Sequence, residues 1–254
     1  MEKQKTIGEI KVELQAAEDE MLPVFIKNYE ADNRSGVKMA VEQAKKRIAR
    51  LEAEKARIEQ LKVYEKKYAD CEYICGIDEA GRGPLAGPVV AGAVILPKNC
   101  DILYINDSKK LSAKKREELY DEIMEKAVAV GVGIIGPGRI DEINILQATY
   151  EAMREALRNL GVTPDILLND AVTIPGVEIR QIPIIKGDAK SISIGAASII
   201  AKVTRDRLME EYDQIMPEYG FASHKGYGAA KHIEAIREYG PSPIHRRTFI
   251  KNYV

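Results

Sequence analysis

The chain has 254 residues, 45% of them hydrophobic and 30% charged, with a formal net charge of -1. That balance suits a globular protein and argues against a disordered or membrane-embedded one. It also counts mildly against a nucleic-acid partner, although 38 lysines and arginines leave room for local basic patches.

Apolar runs such as "VVAGAVIL" have strand length, well short of the ~20 residues of a membrane helix. The opening "MEKQKTIGEIKVELQ" is too charged for a secretory signal, so a cytoplasmic protein with no membrane contact is expected. Cys71, Cys75 and Cys100 are an odd, sparse set, read as reduced and structural.

Along the chain, Thr6 with Glu9 forms a capping-box pattern that opens a first helix. "PVFIKNYE" gives a second short helix, and "DNRSG" breaks the chain. From Val37 to Tyr68 no proline or glycine occurs, and Val37, Val41, Ala44, Ile48, Leu51, Ile58, Leu61 and Tyr68 lie mostly three, four or seven apart. This spacing predicts one long amphipathic helix. Residues 1–70 are therefore expected to be a small all-helical region, and residues 71–254 a separate domain.

Beyond Cys71 the pattern changes to α/β. "YICGID" and "VVAGAVIL" read as strands joined by a glycine-rich turn; Ser112 caps "AKKREELYDEIMEK", and "AVAVGVGIIG" is a third strand. A helix carrying Ile143, Leu146, Tyr150, Met153, Leu157 and Leu160 follows, then the strands "PDILLNDAV" and "VEIRQIPII". A long helix runs from Ser191 to about Met216, and "AAKHIEAIREY" is a shorter one. Strands first together and then alternating with helices predict a mixed sheet with helices on its faces.

Acids at the ends of apolar strands are the anomaly. Asp78, Asp170 and Asp188 each end or follow one, and a buried charge must be paired or metal-bound. Carboxylates converging at one sheet edge would hold a hard cation, Mg²⁺ or Mn²⁺. Glu79 joins Asp78 only if the strand bends or ends between them, which Gly81 and Gly83 would permit. Taken singly, each acid is more simply a turn or cap residue; the argument rests on their conjunction.

The blocks "GIDEAGRGPLAGPVVAGAVIL", "DSKKLS", "KGDAKSISIGAASIIAKVTRD", "HKGYG" and "SPIHRRTF" resemble the bacterial ribonuclease HII family in order and spacing, over roughly Tyr73 to Phe249. The related ribonuclease HIII type lacks the form Gly81-Arg82-Gly83. The resemblance implies a ribonuclease H-like fold, a mixed five-stranded sheet flanked by helices, with the N-terminal helices as an extension found in some members. It implies four metal-binding catalytic acids at Asp78, Glu79, Asp170 and Asp188, and cleavage 5′ to a ribonucleotide in RNA/DNA hybrid or in duplex DNA, leaving 3′-hydroxyl and 5′-phosphate. Two cations, Mg²⁺ or Mn²⁺, would activate a water and stabilise the departing oxygen.

Gly81, Arg82 and Gly83 would bind the backbone around the ribonucleotide, with Tyr227 reading the 2′-hydroxyl. Ser108, Lys109, Lys110, Lys186, Ser191 and Lys225 are expected to position phosphates, and Arg246 and Arg247 would extend that track. His224, His232 and His245 lack ligand spacing, so zinc is not expected. Two departures from the family pattern stand out: Gly195 replaces an alanine, and Asn169 replaces an apolar residue and needs a hydrogen-bond partner. A monomer is expected; a replication-clamp or polymerase partner is not readable from the sequence. Two other readings compete: a non-catalytic nucleic-acid-binding module recruiting a partner through its long helix, and another nuclease of the superfold, such as a resolvase.

Overall fold

The computed structural model describes residues 5–254 and comprises two compact units, divided between Glu59 and Gln60. In the first, helix α1 (Ile7–Ala16) starts with the expected reciprocal cap: Glu9 N–H donates to Thr6 Oγ1 at 3.3 Å, and Thr6 N–H donates to Glu9 Oε2 at 2.7 Å. Ile10 and Leu14 of α1, Leu22 and Phe25 of α2 (Leu22–Tyr29) and Val37, Ala40 and Ala44 of α3 (Ser35–Leu61) form a core of their own.

The predicted single helix over 37–68 is corrected by a break. Lys62 leaves helical geometry (φ -88°, ψ 15°), and a short α4 (Val63–Lys67) resumes. No breaker residue causes this. Lys62 Nζ donates to the Cys100 carbonyl at 2.8 Å, and Tyr64 and Tyr68 pack on Ile166, Leu168 and Ile184, so packing in the second unit redirects the chain.

That unit is built on five strands: β1 (Ile74–Ala80), β2 (Val89–Ile95), β3 (Ala129–Ile135), β4 (Ile166–Asp170) and β5 (Arg180–Ile184), in spatial order β3-β2-β1-β4-β5. β1 pairs antiparallel with β2 and parallel with β4, so the expected mixed five-stranded sheet is present. Between β2 and β3 lies α5 (Ala113–Lys126), capped by Ser112 as expected. One sheet face packs on α6 (Pro137–Arg158), through Cys75, Ile77, Val89 and Ala91 against Ala148, Ala152 and Met153. α6 is interrupted at Asn144 (φ 69°), whose side chain caps the second segment by accepting from Leu146 and Gln147 N–H.

On the other face lies α7 (Ile192–Ile215). It approaches closely because Gly76 has no side chain: a Cβ there would sit 2.1 Å from the Ser193 carbonyl carbon. Gly195 is explained in the same way, since an added methyl would meet Ile105 Cγ2 at 2.8 Å. Asn169, fully buried, finds partners for its amide nitrogen: Nδ2 donates to Gln181 Oε1 at 2.8 Å and to the Val172 carbonyl at 3.1 Å. After α7 come α8 (Phe221–His224) and α9 (Ala230–Tyr239). All three cysteines are free. No helix among the described residues is long and apolar enough to cross a membrane.

Candidate active site

β1 does not end or bend away between Asp78 and Glu79, contrary to expectation. Its pairing with β2 continues through Asp78↔Gly92, Glu79↔Ala91 and Ala80↔Val90. What stops is the pairing with β4, whose last partners are Ile77 and Asn169. One step further along that register sets Asp170 beside Asp78, at the place where the two strands part. Parallel neighbours in register share a face, so β4 supplies its acid to the same edge.

The acids feel one another. Burial pushes the Asp78 carboxyl well up, with the Glu79 charge and, further down, the Asp170 charge adding; the Ser198 hydroxyl opposes them. Burial likewise raises Glu79, where the Arg82 charge and hydrogen bond oppose it and Asp170 adds to it. Asp188, in the short turn Gly187–Ala189, is raised by burial and then by Asp107 and Asp170. Asp170 is thus the charge common to the other three.

In the conformation seen, internal partners hold these oxygens. Asp78 Oδ1 accepts from Glu79 N–H at 2.8 Å, Asp170 Oδ1 accepts from Gly187 N–H at 2.7 Å, and Glu79 pairs with Arg82 at 3.3 Å. Among the described residues, no three His, Cys, Asp or Glu side chains already stand in metal-holding geometry. The donor set is nonetheless all oxygen, crowded and like-charged, which is the chemistry a hard divalent cation takes.

Beyond Glu79 the chain enters the glycine turn. Gly81 has φ 92°, and a Cβ there would collide with Arg205 Nε at 2.1 Å and the Pro88 carbonyl at 2.7 Å, so only glycine fits. Arg82 and Gly83 are exposed, and the Tyr227 ring stands beside Gly83, with its Cε1 3.8 Å from where a Cβ would be. Tyr227 is 46% exposed, so it is not a core tyrosine.

The residues expected to contact phosphates stand in different surroundings. Ser191 is fully buried: its hydroxyl caps α7 by accepting from Ile194 N–H at 3.2 Å and donates to Glu65 Oε1 at 2.5 Å. Ser108 is also buried, 3.0 Å from Ser198 Oγ. The Ser198 hydroxyl in turn lowers the Asp78 carboxyl, so Ser108 stands behind the acid and does not face a phosphate. Lys225 Nζ is held by Glu210 at 2.6 Å. Lys109, Lys110 and Lys186 are exposed, and the Lys109 charge lowers both Glu79 and Asp188. Arg247 is exposed, with its backbone N–H on Asp141 at 2.7 Å.

Arg246 is no surface cation either. Fully buried, it donates to the carbonyls of Gly87 at 3.0 Å, Arg82 at 2.9 Å and Gly81 at 2.5 Å. Arg205, overlooked in the sequence, donates to Pro88 at 2.9 Å, Ala86 at 3.1 Å and, across the site, Lys225 at 2.9 Å. Two guanidinium groups thus replace the strand partners that this loop lacks. Ser198 and Asp107 were overlooked too. Nothing in their local sequence marks them, since it is the packing of α7 and of the "DSKK" loop that brings them to the acids.

The ribonuclease HII family model matches residues 75–252, and the ribonuclease HII N-terminal domain model matches residues 6–69. The chain is 68% identical over 224 residues to the ribonuclease HII of Lachnoclostridium phytofermentans, covering 88% of each chain. Among solved structures it resembles the ribonuclease H2 of Pyrococcus horikoshii OT3, at 32% identity and TM-score 0.60, over 71% of this chain and 96% of that one. It also resembles the ribonuclease HII of Archaeoglobus fulgidus, solved in complex with PCNA, at 28% identity and TM-score 0.59, again over 71% and 96%. The chain belongs to the ribonuclease HII family and is a ribonuclease H, a hydrolase of the endonuclease type.

Proposed function

We propose that this ribonuclease H cuts the phosphodiester on the 5′ side of ribonucleotides, whether embedded singly in duplex DNA or lying in RNA/DNA hybrid, leaving a 3′-hydroxyl and a 5′-phosphate. Its role is removal of misincorporated ribonucleotides and RNA primers in the cytoplasm, by a monomer whose catalytic domain spans 71–254 and whose helical extension spans 1–70. A sliding clamp is the partner class suggested by the Archaeoglobus complex. The non-catalytic module and the resolvase have no observation of their own to favour them.

The observation that carries this reading is continuity. Glu79 is bonded to Arg82, and Gly83 of the same turn lies against an exposed Tyr227. A ribose held at Gly83 therefore has its phosphate within reach of the acids. Main-chain groups at the exposed Gly83, which carries no side chain, suit a 2′-hydroxyl that both donates and accepts, and the Tyr227 phenol closes the sugar from the other side.

Asp78, Glu79, Asp170 and Asp188 would hold two Mg²⁺ or Mn²⁺ ions, which supply water activation and stabilisation of the leaving oxygen. Two of these carboxylates, Glu79 and Asp170, are the ones now bonded to Arg82 and to Gly187 N–H; Arg82, if freed from Glu79, would meet the substrate backbone, with the exposed Lys109 adding positive charge.

The test is a nicking assay on end-labelled duplex DNA carrying one ribonucleotide, with Mg²⁺, Mn²⁺ or chelator. A metal-dependent cut immediately 5′ to the ribonucleotide is expected, with none on all-DNA duplex and a loss of about 10³-fold in Asp78→Asn. Cutting in chelator, or full activity in Asp78→Asn, would overturn the reading.

A further inference from the structure

The three histidines that lack ligand spacing converge. His224 stacks on His232 with ring centroids 4.4 Å apart, and His232 Nε2 lies 2.9 Å from His245 Nε2. His232 and His245 are 0% and 2% exposed, enclosed by the Tyr219 and Phe221 rings. Among the described residues they belong to no metal-holding group, so they need another explanation.

Their hydrogen bonds fix where each proton sits. His232 Nδ1 is 2.8 Å from the Tyr227 carbonyl, which can only accept, so Nδ1 carries the proton. Ser242 N–H donates to His245 Nδ1 at 2.9 Å, and the Ser242 hydroxyl lies 2.7 Å from the same atom. That nitrogen is therefore the acceptor, and the His245 proton is on Nε2. His245 Nε2–H then donates to the bare Nε2 of His232. The chain runs one way, from Ser242 through His245 and His232 to the main chain of Tyr227, with both rings neutral. An extra proton on either imidazole would set two N–H groups against each other or against the Ser242 amide. Burial, the first cause in each case, pushes both imidazoles down, His245 to about 4.

The relay ends where the reader needs support. Lys225 (φ 51°) and Gly226 (φ 83°) are both left-handed, so Tyr227 sits at the end of an irregular turn. At the other end, the residue after His245 is Arg246, which holds the Gly81, Arg82 and Gly87 carbonyls. His245 also bridges to Ala86 as a strand partner. One dipeptide thus reaches both halves of the reader: Arg246 grips the glycine turn, and His245 reaches Tyr227 through His232.

We propose that His245 and His232 are positioning residues, a neutral one-way relay that fixes Tyr227 against Gly83 and so sets selectivity for the ribonucleotide. This rests on the reading of Tyr227 as the group that meets the 2′-hydroxyl. Neither histidine touches substrate; both act through Tyr227.

The test is a double-mutant cycle on kcat/KM with the single-ribonucleotide duplex. His245→Met keeps bulk and loses the donor, while His245→Gln returns an N–H to His232. We expect His245→Met to lower kcat/KM about tenfold and His245→Gln to stay within about threefold of wild type, with no further loss from His245→Met in a Tyr227→Ala background. Equal activity of the Met and Gln variants, or a Met loss that persists in full without Tyr227, would overturn the relay. If Tyr227→Ala alone costs nothing, the Tyr227 reading falls and takes the relay with it, an outcome distinct from the other two. Should His245→Met not fold, Ser242→Ala weakens the same chain at its origin; a loss of about threefold that vanishes in Tyr227→Ala supports the relay, and one that adds in full overturns it.

Discussion

At the residue scale, two adjacent arginines show how position separates chemistries that composition cannot. Arg246 and Arg247 are neighbours of one type, yet Arg246 is buried and Arg247 exposed. Burial, and then the Arg205 charge, bring the Arg246 guanidinium down to about 9. Three carbonyls of the glycine loop compensate it. Lysine cannot reproduce that fork, because a single ammonium reaches at most part of the set. Arg246→Lys is expected to destabilise the protein by ~2–4 kcal/mol, as carbonyls lose their donors. It should also lower kcat/KM at least about tenfold, because Gly81 and Arg82 shift. Urea unfolding alongside the nicking assay checks both; an unchanged midpoint would assign Arg246 back to the surface.

At the element scale, the start of α7 is completed by a different helix. Glu65 of α4 accepts from the Ser191 hydroxyl at 2.5 Å and from Ser193 N–H at 3.1 Å, placing a carboxylate on the positive end of a 24-residue helix. Glu65→Ala should cost ~1–2 kcal/mol, and Glu65→Gln, which keeps an acceptor, roughly half of that; thermal unfolding of the pair measures the difference. Much of the architecture was legible in the sequence, because strands such as "VVAGAVIL" and the Thr6–Glu9 cap are local signals. The α3–α4 break was not, because helical periodicity is blind to a lysine drawn onto the Cys100 carbonyl. In the same way, the acids could be singled out at strand ends. Ser191 facing Glu65, and Ser108 supporting Asp78 through Ser198, depend on partners up to 126 residues away, which spacing does not encode.

At the scale of the whole molecule, two buried clusters make stability respond to pH in opposite senses. Asp78, Glu79 and Asp188 have carboxyls raised by burial and by neighbouring acids, so in the metal-free protein acidification relieves them. The histidine relay works the other way. Its groups are depressed in the fold, His245 from 6.5 to about 4, so the unfolded chain binds protons that the folded one refuses. Stability from this source is complete above pH 6.5, falls as pH drops through the interval, and is gone below about 4. The facing groups reinforce the sign: after burial, His232, Arg247 and His224 all disfavour a charge on His245. The loss amounts to about 2–3 kcal/mol over that window. His245→Gln has nothing to protonate there, so its stability relative to wild type should rise by about that amount between pH 6.5 and 4. Urea unfolding of both proteins across the range, in chelator so that the acids contribute equally, reads the difference directly; parallel curves would mean that His245 accepts its second proton in the fold.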